Sequence, residues 1–185
     1  MRLLFLGPPG VGKGTQAAKV STACSIAHIS TGDMFRRHIS DGTPLGKRVG
    51  RIMDRGDLVP DSVTVEMLMD RLGHADAADG YILDGFPRTL PQARALDETI
   101  GEDALDAVIV LTAPRDALVD RMLARGRADD TEASVRNRLA VYERETAPLV
   151  GFYQKRGIVM PVRGTGAIEE ITGRILEVLA GLSRA

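Results

Sequence analysis

The sequence predicts an α/β fold: a five-stranded, mainly parallel sheet held between layers of helices. Three observations predict it. Short apolar runs recur through the chain, and the run Ala107-Val108-Ile109-Val110-Leu111 has no polar interruption, as a strand covered on both faces requires. Stretches with apolar residues at helical spacing separate these runs. Such alternation builds a parallel sheet with helices on its faces. At 185 residues the chain is long enough for one core domain with small insertions.

The first strand, Leu3-Leu4-Phe5-Leu6, empties into Gly7-Pro8-Pro9-Gly10-Val11-Gly12-Lys13-Gly14-Thr15, which fits the phosphate-loop pattern G-x-x-x-x-G-K. Gln16 onward continues the loop as a helix. Glycines remove Cβ atoms that would keep backbone N–H groups off an anion. The helix start adds unsatisfied donors and the positive end of a dipole. Lys13 supplies a mobile charge for outer phosphates. Gly14 stands where the general pattern wants Ser or Thr, and Thr15 is the nearest hydroxyl. A bare glycine turn is the bland alternative, but Lys13 in a strand-turn-helix context favours a phosphate site.

Next comes a short strand, Ala27-His28-Ile29-Ser30, with Thr31 expected to cap the helix that follows. Gly42-Thr43-Pro44 breaks that helix, and residues 45–54 form another through Leu45, Val49, Ile52 and Met53. Asp61 or Ser62 is expected to cap a helix running to about Leu72, and residues 75–80 read as a polar linker. Residues 31–72 thus hold no strand and read as a module inserted at the sheet's ligand edge. The strand Gly80-Tyr81-Ile82-Leu83-Asp84 runs into Gly85-Phe86-Pro87-Arg88, and Thr89 with Pro91 opens a helix to about Ile100. Pro114 opens a helix to Arg125. Thr131 caps a long helix with the core stripe Val135, Leu139 and Tyr142. Residues 158–162 make the last strand and 168–182 a closing amphipathic helix.

Composition excludes several classes. Lys and Arg total 24 against 25 Asp and Glu, so no global field attracts nucleic acid. No apolar stretch reaches membrane-spanning length, and the N-terminus does not read as a signal peptide. One cysteine, Cys24, excludes an internal disulfide framework and a multi-cysteine zinc site. It reads as a small apolar residue at the end of the first helix. A protein of the reducing cytoplasm is expected. The cations are lopsided, 20 Arg to 4 Lys. Genomic bias explains part of that, yet arginine also suits bidentate phosphate contacts.

Ligands of open α/β sheets gather beyond the carboxyl ends of the strands. Asp84 closes an apolar strand, the place where a phosphate-loop enzyme keeps an acid for Mg²⁺ or its waters. Arg121 and Arg125 lie four apart on one helix face, with Arg127 beyond Gly126, and such like charges repel unless an anion answers them. Arg138 sits at the margin of a core stripe; Arg88 follows the Phe86-Pro87 turn; Arg36 lies one turn into the helix after Thr31. Arg136, Arg144, Arg156 and Arg174 read as surface residues. His28, His38 and His74 are scattered and read as packing or surface groups. So many cations suit an enzyme that brings a nucleoside monophosphate dianion against another polyanion. The attacking oxygen is already ionised, so charge neutralisation, in-line positioning and water exclusion suffice.

Over essentially its full length the chain resembles the adenylate kinase family. The resemblance rests on GPPGVGKGTQ from Gly7, STGDMFR from Ser30, GDLVPD from Gly56, LDGFPRT with Gln92, RGRADD from Arg125, and RNRLAVY with ETAPL beyond it. It absorbs the Gly14 irregularity, since G-K-G-T is that family's own form of the loop. It implies a P-loop three-layer fold: a core of residues 1–29, 60–125 and 133–185, an AMP-binding domain of 30–59, and a short lid of 126–132 without zinc. It implies that Gly10, Val11, Gly12, Lys13, Gly14 and Thr15 hold ATP phosphates, with Arg121, Arg125 and the Gly166 backbone also on ATP. Thr31, Arg36, Asp57, Leu58, Val59, Gly85, Phe86, Pro87, Arg88 and Gln92 would hold AMP. Arg127 and Arg138 would contact AMP and the moving phosphoryl group, and Asp84 would meet magnesium through water. The catalytic set implied is Lys13, Arg88, Arg121, Arg125, Arg127 and Arg138. A cis peptide before Pro87 is implied, as is a monomer converting ATP and AMP into ADP with no nucleic-acid or membrane partner. A kinase for UMP or CMP, a GTP-using donor site, or a non-catalytic nucleotide sensor are the alternatives. The pairing of Thr31 with Gln92, and Thr89 after Arg88, favours AMP.

Overall fold

Strand β1 (Arg2–Leu6) occupies the centre of the sheet because its residues are apolar on both faces. Leu3 and Phe5 face one layer of helices and Leu4 and Leu6 the other, the period-two alternation of a strand. The protein's structure, a computed structural model, describes residues 1–182. Beside β1 lie β2 (Ala27–Ser30), β3 (Tyr81–Asp84), β4 (Ala107–Thr112) and β5 (Val159–Arg163), in the order β2-β3-β1-β4-β5. All pairings are parallel, so Leu6, Ser30 and Asp84 end at the same edge. Pro161 cannot donate to a ladder, and it lies in β5 at the end of the sheet.

Helices α1 (Lys13–Cys24), α6 (Arg115–Arg125), α7 (Glu132–Val141) and α9 (Ile168–Leu182) pack on the Leu3 and Phe5 face. Cys24 is partly buried against that cluster. Helices α4 (Asp61–Leu72), α5 (Leu90–Ile100) and α8 (Pro148–Gln154) cover the opposite face. Helices α2 (Thr31–Ser40) and α3 (Pro44–Asp54) leave the sheet as an excursion. Their Phe35 and Val49 join Val59 in a small cluster separate from the two sheet cores. Among the described residues no helix is long and apolar enough to cross a membrane.

Several local expectations shift. The hydroxyl that caps α2 belongs to Ser30, which accepts from the Asp33 N–H at 3.3 Å, while Thr31 is already helical. Helix α4 begins at Asp61 with Pro60 before it and no side-chain cap, because the Asp61 carboxylate is turned elsewhere. The polar linker holds a 3₁₀ turn, Ala75–Ala77, with Ala77 buried.

The long helix after Thr131 is interrupted by a π-turn, Tyr142–Thr146. Pro148 has no N–H to return to the chain four residues back, and Ala147 bonds five back to Tyr142 O at 2.8 Å. Val141, the last residue before the π-turn, is buried and Tyr142 only half-buried, against the expected stripe.

Arg156 is not the surface residue expected. Its guanidinium pairs with both oxygens of buried Asp97 at 2.9 and 2.5 Å and lies 4.6 Å from the Phe152 ring centroid. Arg156→Ala strands the Asp97 carboxylate. Unfolding free energy, read by urea titration, is expected to drop by about 3 kcal/mol. Turnover per folded molecule should stay at the wild-type level, since neither residue lines the cavity described next.

Candidate active site

Between β1 and α1 the chain makes the glycine-rich turn. Gly10 adopts φ +82°, and a Cβ there would lie 2.5 Å from the Leu118 carbonyl oxygen, so only glycine lets the loop pack against α6. Gly14 lies close to the acid: a Cβ there would stand 3.3 Å from Asp84 Oδ2, a tight approach that glycine avoids. Helix α1 has no side-chain cap and no acid in its first turn, leaving its N–H groups and dipole facing the loop. Lys13 Nζ donates to the carbonyls of Gly7 (2.6 Å) and Pro8 (3.0 Å). Burial pulls the Lys13 ammonium down from 10.5 to about 8; Asp84 opposes this while Arg88 and Arg125 add to it.

Asp84, at the end of β3, is 8% exposed. His28 stands beside it, Nε2 3.4 Å from Oδ2, and that nitrogen is buried without a hydrogen-bond partner. His28 thus lines the cavity, where a packing or surface residue is expected from the sequence.

Around the cis Phe86-Pro87 bond the backbone is tied from both sides. Thr31 Oγ1 donates to the Gly85 carbonyl at 2.8 Å, and Arg88 Nε donates to the same oxygen at 2.8 Å. Gln92 Oε1 accepts the Arg88 N–H at 2.7 Å. Thr146 Oγ1, delivered by the π-turn, donates to the Arg88 carbonyl at 2.8 Å. Burial lowers the Arg88 pKa; Asp84 counters this, and Arg138 and Arg36 reinforce it. Three guanidiniums therefore share one field.

Further along, Arg121 Nη1 donates to the Gly164 carbonyl at 2.9 Å. Arg125 grips Asp130 with two hydrogen bonds of 2.9 and 2.8 Å. Arg138 bonds Asp130 at 2.8 Å and also pairs with Asp129. Burial pushes Asp130 up, but the Arg125 and Arg138 guanidiniums outweigh it and hold its carboxyl below the usual range. Burial also lowers Arg127, with Arg36 and Arg125 adding to the effect. The repulsion expected between Arg121 and Arg125 is thus partly answered inside the protein.

These groups line one cavity of about 830 Å³, within the range of small-molecule sites. It takes in the phosphate loop, Gly166, Asp84, the segment from Asp57 to Val59, and all seven of Lys13, Arg36, Arg88, Arg121, Arg125, Arg127 and Arg138. Four acidic residues, Asp33, Asp57, Asp84 and Asp129, share the lining, so the surplus is positive and the cavity suits a polyanion. Of the residues singled out from sequence, Phe86 alone is outside the lining; its ring is 1% exposed in the core beneath β3. Sequence reasoning missed Asp129 and Thr146. Their only signals are a pair of adjacent acids after Arg127 and a hydroxyl just before Pro148.

A phosphate loop at the end of a central parallel strand, opening on a cavity with surplus arginine, defines a phosphotransferase of the nucleoside monophosphate kinase class. A family model described as adenylate kinase matches residues 5–158. Curated relatives agree: an adenylate kinase of Kocuria rhizophila is 51% identical over 184 residues, covering 96% of this chain and 98% of the relative. One of Nocardia farcinica is 50% identical, covering 97% and 99%, and one of Corynebacterium urealyticum 53%, covering 93% and 95%. The chain belongs to the adenylate kinase family.

Proposed function

We propose that the chain moves the γ-phosphoryl group of ATP onto AMP, reversibly, releasing two ADP. The single observation that carries this reading is one cavity with the phosphate loop on one wall and Arg36, Arg88 and Gln92 on another. An oxygen of the AMP phosphate forms the new bond to the γ-phosphorus. The bond to the bridging oxygen breaks, its electron pair leaving with the donor's β-phosphate. The attacking oxygen is ionised near neutral pH, so no base is needed. The loop from Gly10 to Thr15 holds the donor phosphates, with Arg121, Arg125 and the Gly166 backbone alongside. Thr31, Arg36, the 57–59 backbone, the Gly85 to Arg88 turn and Gln92 hold the acceptor. Lys13, Arg88, Arg127 and Arg138 neutralise the charge of the transferring group.

Residues 30–59 act as the AMP-binding module and 126–132 as a short lid, closing on substrate to exclude water. The separate cluster of Phe35, Val49 and Val59 supports the first of these. A single carboxylate, Asp84, faces the loop beside Gly14 and Lys13. That suits magnesium, which takes one or two carboxylates and fills its shell with phosphate oxygens and water. Asp84 would hold it through water, and the ion would supply charge neutralisation on the phosphates. We extend the reading to a cytoplasmic monomer, which sedimentation at assay concentration checks.

An acceptor and donor panel tests the whole. With ATP and magnesium, AMP is expected to give the highest kcat/KM among AMP, UMP and CMP, and ATP to exceed GTP as donor. Faster turnover of UMP or CMP, or nucleotide binding without ADP formation, would overturn it.

A further inference from the structure

Gln92 is 2% exposed and borders the cavity, and both ends of its amide are already engaged. Oε1 accepts from the Arg88 N–H, and Nε2 donates to Asp61 Oδ1 at 2.7 Å. The second oxygen of Asp61 accepts from Thr89 Oγ1 at 2.9 Å, so the carboxylate is itself held from the start of α5. Neither partner of Gln92 tolerates a flipped amide. A carboxylate only accepts and a backbone N–H only donates, so rotation would set oxygen against oxygen and hydrogen against hydrogen. One N–H and one oxygen lone pair of the amide are left over, in a fixed order.

That order matters to a purine. The six-amino purine edge offers a donor N–H beside the acceptor N1, whereas a six-oxo purine offers an acceptor oxygen beside a donor N1–H. A freely rotating amide could match either edge. A fixed one matches the first and leaves buried polar atoms opposed in the second, the situation in which discrimination becomes steep.

We infer that Asp61 is a specificity-determining positioning residue: together with the Arg88 N–H it locks the Gln92 amide, and its share of that lock steepens the site's choice of six-amino over six-oxo purine monophosphates. This rests on the reading that Gln92 meets the acceptor's base. Asp61 reaches no substrate itself; it acts through Gln92, and Thr89 supports it from behind.

The experiment compares kcat/KM for AMP and for IMP, which differ only along this edge, with ATP and magnesium as donor. In Asp61→Asn the side-chain amide can donate or accept, so one of the two contacts that forbid a turned Gln92 amide is gone and only the Arg88 N–H still opposes it. The AMP-to-IMP ratio is expected to fall roughly tenfold or more. The change should sit in the acceptor KM, a loss for AMP and a gain for IMP, with the KM for ATP unmoved. Asp61→Ala, which withdraws the partner outright, is expected to lower the ratio in the same direction and serves if the first variant does not fold. A ratio within about twofold of wild type, with AMP and IMP falling together, means a structural role and overturns the inference. Wild-type enzyme that prefers UMP or CMP to AMP overturns the acceptor assignment instead, before Asp61 is touched.

Discussion

Lys13→Ala is expected to lower kcat by about 10² to 10³, or roughly 3–4 kcal/mol of transition-state stabilisation, the usual loss when one buried charge-stabilising donor is removed. Folding should survive. The ammonium is buried with its pKa drawn down to about 8, so keeping it charged in the empty site is a strain on the folded state. The unfolded chain keeps this proton up to 10.5 and the folded one only to about 8. Between those values the unfolded state binds more protons, and this group makes the empty protein more stable as pH rises. The same titration acts on the donor. As pH climbs through 8 the free enzyme loses the charge that meets the outer phosphates, so kcat/KM for ATP declines. At saturation the polyanion holds the proton in place, and kcat declines later. In Lys13→Ala this alkaline limb of kcat/KM should be gone. A limb that persists, or turnover near wild type, would remove Lys13 from the chemistry.

Arg88→Ala should be comparably severe, with an opposite signature in stability. Arg88 lies in the field of Arg36 and Arg138, and its burial already disfavours its charge. Removing it relieves repulsion in the empty protein, so Tm is expected to hold or rise while kcat falls by about 10² or more. Arg88→Lys keeps a charge but loses the planar fork and the Nε bond to the Gly85 carbonyl, and should recover only part of the rate. A Tm that drops in parallel with activity would mean that Arg88 chiefly holds the turn together.

Much of this was legible in the chain. Four of the five strands are marked by apolar runs, the second, Ala27–Ser30, only by its shortness and place between helices, and the phosphate loop by glycine spacing around Lys13. Arginine positions relative to strand ends and turns foretold that they would gather at one rim. The features that carry no local signal share common causes. Ser30 and Thr31 are adjacent hydroxyls, and spacing alone does not say which one caps α2. The π-turn leaves no periodic mark; only Pro148 hints at it. Asp61 meets Thr89 and Gln92 across 28 and 31 residues, and Arg156 meets Asp97 across 59. Pairings of that kind follow from packing, which no local pattern encodes.

The small cluster of Phe35, Val49 and Val59 has an evolutionary corollary. Because those side chains share neither sheet core, trimming one of them is expected to loosen the packing of α2 and α3 before it loosens the sheet. Phe35 and Val59 also line the cavity, so a change at either reaches the ligand as well, whereas Val49 stands outside the lining and is the member that can vary without touching it.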